Sequence, residues 1–498
     1  MALLSPQEAR RKRLALILLC IAQFMVVLDF SIVNVALPSM QRDLGFSTQN
    51  LQWVISAYAL TLGGFLLLGG RLGDLYGRRF LFIVGLALFS FASLAGGLAP
   101  SGFWLIAARV VQGLGAALVE PTSISLVSTT FAEGSERNKA FGVVGSVASA
   151  GFAAGAILGG ILTSSLGWRW VMFVNVPIGI LAVIATPFLL HEDRMQTGPR
   201  RVDVLGAFTV TAGLIALVYA ISQGNDTGWL SGQTLGLLAI AAILLVGFVI
   251  IETRSAYPLV RLSIFRQRTV AGANLVTLLA PGVFGALVFI LTLYMQKVLD
   301  YSAIETGLAF LPTAIIILLA SNIVSRLVTR IGVKPFLVGG IVVLCIGVLL
   351  LTRITPNGNY LSSLLPGTLV VALGMGPVFA TIIIAATDGV GDDEQGLASG
   401  LFNTSLQVGS GIVLAIVAAV SSARAASILR AGGSTGNAAT TAGLQSALFV
   451  CAGIAALAAL VAFFAIRRKK KDVGPMRETV LVEDEYDGLA VPVVDTRS

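Results

Sequence analysis

Long apolar segments recur along almost the whole chain, and they constrain the fold more than any other feature. Fourteen of them reach about the 20 residues that a helix needs to cross the hydrocarbon of a bilayer; barrel strands would be about 10 residues long and alternating in polarity. Only 12% of the 498 residues are charged, against about 25% in soluble proteins, and the mean hydropathy is +0.91. We therefore predict an all-α polytopic membrane protein with spans at 14–38, 51–70, 79–98, 103–123, 140–164, 169–190, 203–222, 232–251, 270–296, 305–327, 335–353, 360–388, 396–422 and 443–466.

Basic residues alternate between the two sides of this series of spans. If both termini are placed in the cytoplasm, 26 of the 33 Lys and Arg residues fall on that side, six fall on the other, and Arg109 lies within a span. Cytoplasmic loops carry an excess of Lys and Arg, so the split supports fourteen spans with both termini cytoplasmic. The net charge of +8 is then a topology signal, and we expect no nucleic-acid partner.

The chain repeats itself at an offset of 255 residues, so that Gly77 returns as Gly332. Two spans in the middle have no counterpart, and we interpret them as a hairpin inserted between two six-helix bundles. The polar, acidic C-terminus is expected to be disordered. The predicted parts are a cytoplasmic N-terminal tail (1–13), an N-terminal bundle (14–190), the hairpin with its linkers (191–269), a C-terminal bundle (270–466) and a cytoplasmic tail (467–498).

The junction between the second and third spans combines glycine with charge. From Gly69 to Arg79 it holds four glycines, three arginines and one aspartate. We place it at the membrane face, where glycine lets two helix ends approach closely and Asp74 either accepts hydrogen bonds from arginines or faces a helix N-terminus. The alternative is a basic hairpin that only fixes topology. The pattern resembles the G-x-L-a-D-r-x-G-r-[RK] motif of the major facilitator superfamily, and this resemblance implies a cytoplasmic gating element made of Gly70, Arg71, Gly73, Asp74, Gly77, Arg78 and Arg79.

Three ionisable residues lie in apolar sequence. Asp29 in the first span should face an aqueous cavity or a partner, either as a proton- or cation-binding site or as a structural carboxylate. Arg109 in the fourth span does not lose its proton, so it needs an acid, carbonyls or water; a role in helix packing is the alternative. Glu120 follows at about 16 Å along the helix. We interpret it as a proton- or substrate-binding carboxylate in the outer half of a cavity, or else as an acid at the outer water boundary.

Glycines recur at four-residue intervals in the fifth span, at Gly151, Gly155 and Gly159, with Gly160 next to them. This spacing places the first three on one helix face and favours close packing of helices. Such strips are common in membrane helices, so the spacing by itself gives little information about function.

Several runs are similar to motifs of the fourteen-helix drug:proton antiporters of the same superfamily. They are the segment around Asp29, the R-x-x-Q-G-x-G run that starts at Arg109, the span-five glycines, and the W-R-W-x-F-x-x-N-x-P-x-G run at Trp168. Ala156 departs from the glycine motif, which usually has proline there. The resemblance implies proton coupling through Arg109, and its further motif residues are Asn34, Pro38, Gln112, Gly113, Gly115, Trp168, Arg169, Trp170, Asn175 and Pro177.

We therefore expect a monomeric antiporter in a bacterial plasma membrane. It would exchange protons for small lipophilic drugs or antibiotics, and the carboxylates make cationic ones plausible. The sequence has no G-x-x-x-x-G-K-[ST] phosphate loop and no metal-ligand cluster, so we expect no enzyme activity, cofactor or metal. The alternatives are a proton-coupled nutrient symporter, which the glycine motif argues against, a lipid flippase, and a receptor, which would be expected to have a folded sensory domain.

Overall fold

Long helices account for nearly all of the residues that the structure describes. A computed structural model describes residues 6–132, 134–190, 203–255, 258–388, 390, 395–431 and 436–466, and every regular element within these ranges is helical. Thirteen helices are long and apolar enough to cross a membrane, and a further one, Ser135–Ser165, has an apolar segment at Ala154–Ser165. The all-α polytopic fold is thus confirmed, and the helices agree in number with the fourteen predicted spans.

The helices are numbered α1 to α14 in chain order. Four are interrupted or modified: α2 at Gln52, α6 at Val174, α10 at Phe310, and α12 by an initial π-helical turn. The helices are α1 (Pro6–Leu44), α2 (Thr48–Tyr76), α3 (Arg78–Gly97), α4 (Gly102–Thr130), α5 (Ser135–Ser165), α6 (Arg169–Leu189), α7 (Val204–Thr227), α8 (Gly232–Arg254), α9 (Arg268–Lys297), α10 (Ala303–Ala309 and Leu311–Ile331), α11 (Val333–Leu351), α12 (Tyr360–Thr387), α13 (Gln395–Arg430) and α14 (Gly436–Ala465).

The helices form two bundles with a hairpin beside them. Helices α1–α6 pack together, as do α9–α14, and the main contacts between the two bundles are α2 with α13 and α5 with α10. The hairpin packs through α7 against α2 and α13, one helix from each bundle. Helix α8 remains mostly exposed, as a uniformly apolar helix facing lipid should. The interface between the two bundles, formed mainly by α2 with α13 and α5 with α10, is here called the seam. The inserted hairpin lies beside this seam, and its sequence did not indicate that position.

The repeat predicted from the sequence is visible in the backbone. Gly77 separates α2 from α3 with φ of 98°, and Gly332 separates α10 from α11 with φ of 92°. Glycine adopts such angles without steric penalty. Ser47 and Ser302, also 255 residues apart, each cap the helix that follows.

Helix ends extend beyond several predicted spans. Helix α1 begins at Pro6, not at residue 14, because the basic residues 10–13 continue the helix. The linker at 191–202 and the C-terminal tail at 467–498 lie outside the described residues, so the predicted boundaries of the parts stay predictions. Below, the end of the molecule that carries Gly77 is the motif face, and the end that carries the α1–α2 turn at Gly45 is the distal face.

Candidate functional site

Asp29 and Arg109 meet inside the N-terminal bundle. Arg109 Nη1 on α4 donates to Asp29 Oδ2 on α1 at 2.5 Å, and the two side chains are 1% and 0% exposed. Arg109 also donates through Nε to Val54 O at 2.9 Å and through Nη1 to Gln112 Oε1 at 2.7 Å. Its guanidinium carbon lies 4.3 Å from the centre of the Tyr58 ring, a cation–π distance. The buried arginine thus has both an acid and a carbonyl as partners.

Two amide side chains hold the other oxygen of Asp29. Gln112 Nε2 donates to Oδ1 at 2.8 Å, and Asn175 Nδ2 on α6 donates to it at 2.9 Å. Both amides also donate to Ser93 Oγ on α3, at 3.0 and 3.1 Å. Asp29 therefore faces partners and not an open cavity. Three donors hold the carboxylate as the counter-ion of Arg109, and the resulting network, here called the Asp29 network, joins α1, α2, α3, α4 and α6.

The interruption of α6 brings Asn175 into this network. The first segment of α6 ends at Phe173, and the second begins at Asn175. Pro177 lies in the first turn of the second segment, where the missing N–H removes no helical hydrogen bond. Because the new segment starts at Asn175, its fully buried side chain can point at Asp29 and Ser93.

Glycines bring α4 close enough to its neighbours for these contacts. A Cβ at Gly113 would lie 2.7 Å from Tyr58 O on α2, and one at Gly115 would lie 2.7 Å from Phe89 N on α3. No side chain fits at such distances from a backbone. The R-x-x-Q-G-x-G run therefore supplies two members of the Asp29 network, Arg109 and Gln112, together with the close packing that positions them.

Two residues of the α1 motif lie outside the network. Asn34 Nδ2 donates to Phe30 O of its own helix at 2.8 Å, and its Oδ1 is buried without a hydrogen-bond partner in the part of the chain that the structure describes. Pro38 lies within α1, which continues through it. The structure therefore gives neither residue a contact with Asp29.

Trp168 and Arg169, the first two residues of the W-R-W run, bond to other segments at the distal end of the N-terminal bundle. Trp168 Nε1 donates to Asp43 Oδ2 at 2.8 Å, and Arg169 pairs with the same oxygen. Arg169 also donates to Ala99 O, in the α3–α4 turn, at 3.2 Å. Trp170 is exposed and takes no part in these bonds. Because Arg169 and Asp43 are themselves substantially exposed, this ion pair stabilises the bundle only slightly.

The junction motif is almost entirely helical. Gly77 alone separates α2 from α3, so the polar residues belong to helix ends. Asp74 Oδ1 accepts hydrogen bonds from Arg78 Nη2 at 3.0 Å and Nε at 3.3 Å. Arg79 Nη1 donates to Leu190 O at the end of α6, at 3.2 Å, whereas Arg71 is exposed. Asp74 therefore pairs with an arginine, which is one of the two placements that the sequence allows, and the pair bridges the α2–α3 turn.

The junction glycines pack α2 against α4 and not against α3. A Cβ at Gly69 would lie 2.0 Å from Ala117 O, and one at Gly73 would lie 2.9 Å from Thr122 Cγ2. The sequence predicts that these glycines let two helices approach closely, and the structure shows which two helices they are. The close approach is between α2 and α4, which lie side by side, whereas the α2–α3 turn needs only Gly77.

Glu120 lies apart from the Asp29 network. It follows Arg109 towards the motif face, because α4 runs from the distal face to the motif face and Pro121 contacts Gly70. The expected outer-half position of Glu120 and the predicted cytoplasmic location of the motif face therefore cannot both hold. Its side chain is partly exposed, Oε2 has no hydrogen-bond partner among the described residues, and Gln23 of α1 lies beside it. Gln23 is 8% exposed, and its Oε1 also lacks a partner.

The α5 glycines serve two interfaces. The three at four-residue spacing pack against α1, where a Cβ at Gly159 would lie 2.7 Å from Ile32 O. Gly160 faces the other bundle, and a Cβ there would lie 2.7 Å from Ala303 O on α10. The glycine motif thus belongs both to the N-terminal bundle and to the seam.

The seam is closely packed near the distal face. A Cβ at Gly307 on α10 would lie 2.2 Å from Ala156 O on α5. Gln296 Nε2 on α9 donates to Val35 O on α1 at 2.8 Å. At this end of the molecule the two bundles therefore meet through backbone contacts.

Most of the chain matches the model of one protein family. The model of the Major Facilitator Superfamily matches residues 19–414. The chain belongs to the major facilitator superfamily. This member is 39% identical over 463 residues to the puromycin resistance protein of Streptomyces alboniger, with 92% of each chain covered. It is 40% identical over 415 residues to the cephamycin export protein CmcT of Amycolatopsis lactamdurans, which covers 82% of this chain and 84% of that protein.

Solved structures show the same superfamily fold. A bacterial homologue of the human lysosomal transporter Spinster, crystallised in an inward-facing and occupied conformation, superposes with a TM-score of 0.66 at 16% identity. The match covers 90% of this chain and 96% of that chain. At this identity the likeness concerns the fold alone.

Sequence reasoning missed part of the site of this superfamily member. Ser93 and Tyr58 follow no pattern that distinguishes them from other polar residues in apolar helices. Gln23 carried a weak signal, as an amide within the first apolar span. These residues become recognisable only when the neighbouring helices are in place.

Asn175→Ala should destabilise the N-terminal bundle. The change removes a donor from the Asp29 carboxylate, and a hydrogen bond to a charged group contributes about 1.5–3 kcal/mol. We expect denaturant titration in detergent to show a loss of that size. Asn322→Ala is the matched control, because Asn322 is exposed and bonds only its own helix; equal losses in the two variants would contradict a role in the network.

Proposed function

We propose that this chain is a proton-coupled antiporter that exports lipophilic antibiotics or drugs. The observation that carries the proposal is the match along 92% of the chain to a puromycin resistance protein, together with the similar match to a cephamycin export protein. The superfamily consists of transporters and not enzymes. We therefore assign no catalytic residue to the chain.

Glu120 is the proposed exchanging carboxylate. Its Oε2 and the neighbouring Gln23 Oε1 are acceptors without partners within the described ranges, and a buried acceptor in that state is unfavourable. An ammonium or amide N–H of a bound compound would satisfy both. Protonation of Glu120 would remove its negative charge and weaken binding of a cation, so one carboxylate could exchange a proton for the exported compound.

The Asp29 network has a different proposed role. Asp29 already accepts from three side-chain donors, so binding a proton there requires Arg109 to lose its counter-ion. Protonation of Asp29 would therefore disturb contacts among five helices at once. We propose that the network transmits helix movement within the N-terminal bundle, whereas Glu120 exchanges the proton.

The membrane potential and proton gradient supply the energy. Each charge that moves across 100 mV contributes about 2.3 kcal/mol. We place the motif face and both termini in the cytoplasm of a bacterial cell, following the excess of basic residues there. The Asp74–Arg78 pair then lies at the cytoplasmic side as part of a gate, and one chain contains both bundles that alternating access requires.

Glu120→Gln should abolish proton-driven ethidium efflux in everted vesicles. The amide keeps the shape of the side chain but can neither bind nor release a proton at neutral pH. We expect dye transport at less than a tenth of the wild-type rate, measured by ethidium fluorescence after a pH gradient is imposed.

Glu305→Gln is the control for this change. Glu305 lies near the distal face and completes a capping box with Ser302, a role that glutamine also fills. Wild-type efflux by Glu120→Gln would remove Glu120 from the mechanism.

In intact cells an uncoupler should raise ethidium accumulation; a fall would favour a proton-coupled importer.

A further inference from the structure

A pocket with several polar lining residues opens at the distal face, where both bundles and the hairpin meet. Its volume is about 400 Å³, within the range of roughly 300–1,000 Å³ typical of small-molecule sites. It is lined by the start of α2, the end of α7, and the ends of α9, α13 and α14 that face this side. The polar residues that bear on its chemistry are Thr48, Gln49, Asp226, Lys297, Ser422 and Arg430.

Lys297 is the central cation of this pocket. It is the last residue of α9 and is partly buried, and its Nζ donates to Thr48 Oγ1 at 3.3 Å. This bond crosses from the C-terminal to the N-terminal bundle. Among the described residues no carboxylate pairs with Lys297. A partly desolvated ammonium whose acceptor is a neutral hydroxyl favours an anion beside it.

A second donor group lies in the same pocket. The Gln49 side chain is 4% exposed, and its Nε2 is buried with no hydrogen-bond partner among the residues that the structure describes. Ser422 Oγ is likewise buried without a partner. A buried amide N–H without an acceptor is costly, so an acceptor atom in the pocket would stabilise both groups. This observation is independent of Lys297 and points to the same kind of ligand.

The other residues that line the pocket indicate the chemistry of the rest of such a ligand. Leu293, Leu429 and Leu444 contribute apolar surface. At the rim, one further cation, Arg430, accompanies one acid, Asp226, so the pocket as a whole has an excess of positive charge. The chemistry matches a small amphiphilic anion, with an oxyanion at one end and an apolar group at the other.

We propose that this pocket is a binding site for an amphiphilic oxyanion, with Lys297 as counter-ion and Gln49 as hydrogen-bond donor. The pocket includes Gln49 from the N-terminal bundle and Lys297 from the C-terminal bundle, so an occupant contacts both. It therefore stabilises the arrangement in which the distal ends are packed together. The site is separate from Glu120, which lies towards the motif face.

The test compares two probes of the same shape and different charge. Binding of 2-naphthoate and of neutral 2-naphthamide is measured by titration calorimetry on the full chain in phosphatidylcholine nanodiscs. We expect naphthoate to bind at least tenfold more tightly. Lys297→Met should abolish that preference, Lys297→Arg should retain it, and Arg424→Met, which removes an exposed cation of α13 outside the pocket, should leave it unchanged.

Equal binding of the two probes to the wild type would overturn the proposal, whatever the variants do. An unchanged preference in a folded, monodisperse Lys297→Met would also overturn it. Because binding is measured without transport, the result is separate from the outcome for Glu120.

The anion could be a lipid headgroup or a soluble molecule, and a competition arm distinguishes the two sources. Dihexanoyl-phosphatidylglycerol is added to the naphthoate complex in detergent, with dihexanoyl-phosphatidylcholine as the matched zwitterionic lipid. Displacement by the first and not by the second identifies an anionic phospholipid as an occupant. If neither lipid displaces naphthoate, the site is specific for a soluble anion.

Discussion

Asp29→Ala and Arg109→Ala should each lower the free energy of unfolding by about 3–5 kcal/mol, because each leaves a buried charge without its partner. The double variant should lose much less than the sum of the two single losses, since no unpaired charge remains. Denaturant titration of the purified chain in detergent gives the three values and the coupling energy between the residues. All three variants should also lose proton-driven ethidium efflux.

The Asp43–Arg169 pair provides the matched control. It joins the same types of side chain within the same bundle, but both residues are substantially exposed. An exposed ion pair contributes about 0–1 kcal/mol, so the coupling energy between Asp43 and Arg169, measured with Asp43→Ala, Arg169→Ala and the double variant, should be no larger than that. Additive losses at Asp29 and Arg109 would contradict the view that they form one buried unit.

Gly307→Ala should separate the two bundles at the distal face. The new methyl group would lie 2.2 Å from Ala156 O, and a backbone atom cannot move aside as a flexible side chain can. Overpacking of this kind costs about 1–3 kcal/mol. That cost would change the equilibrium constant between the closed and open distal conformations by roughly 5- to 150-fold. Because the contact lies between bundles, each bundle should stay folded.

Spin labels at the exposed residues Leu166 and Leu361 would report this shift as a longer distance across the distal face. The free cysteines Cys20, Cys345 and Cys451 would first be replaced. Gly453→Ala is the control, because a Cβ there meets nothing within 4 Å. An unchanged distance distribution in Gly307→Ala, with normal efflux, would show that the contact does not limit the conformational cycle.

The sequence predicted that the buried Arg109 needs an acid or carbonyl groups as partners, but not which residues provide them. A guanidinium in an apolar span needs an acid or carbonyls, and this follows from its chemistry alone. Asp29 lies 80 residues earlier in the chain, and no local pattern links the two. Glu120 lies on the same helix as Arg109, as the sequence predicts, but the neighbours of α4 decided towards which face the residue lies.

What the sequence by itself determined is the series of spans and the superfamily resemblance. Bilayer thickness sets the length of each apolar segment locally, so the chain can be divided into helices without knowledge of their packing. Only the tertiary structure decided that α7 lies along the seam, that Asn175 and Ser93 complete the Asp29 network, and that Lys297 and Gln49 share a pocket. Hydrogen bonds form only within about 3 Å. Whether two side chains come that close depends on how the helices pack, and glycines such as Gly113 allow the helices to approach each other that closely.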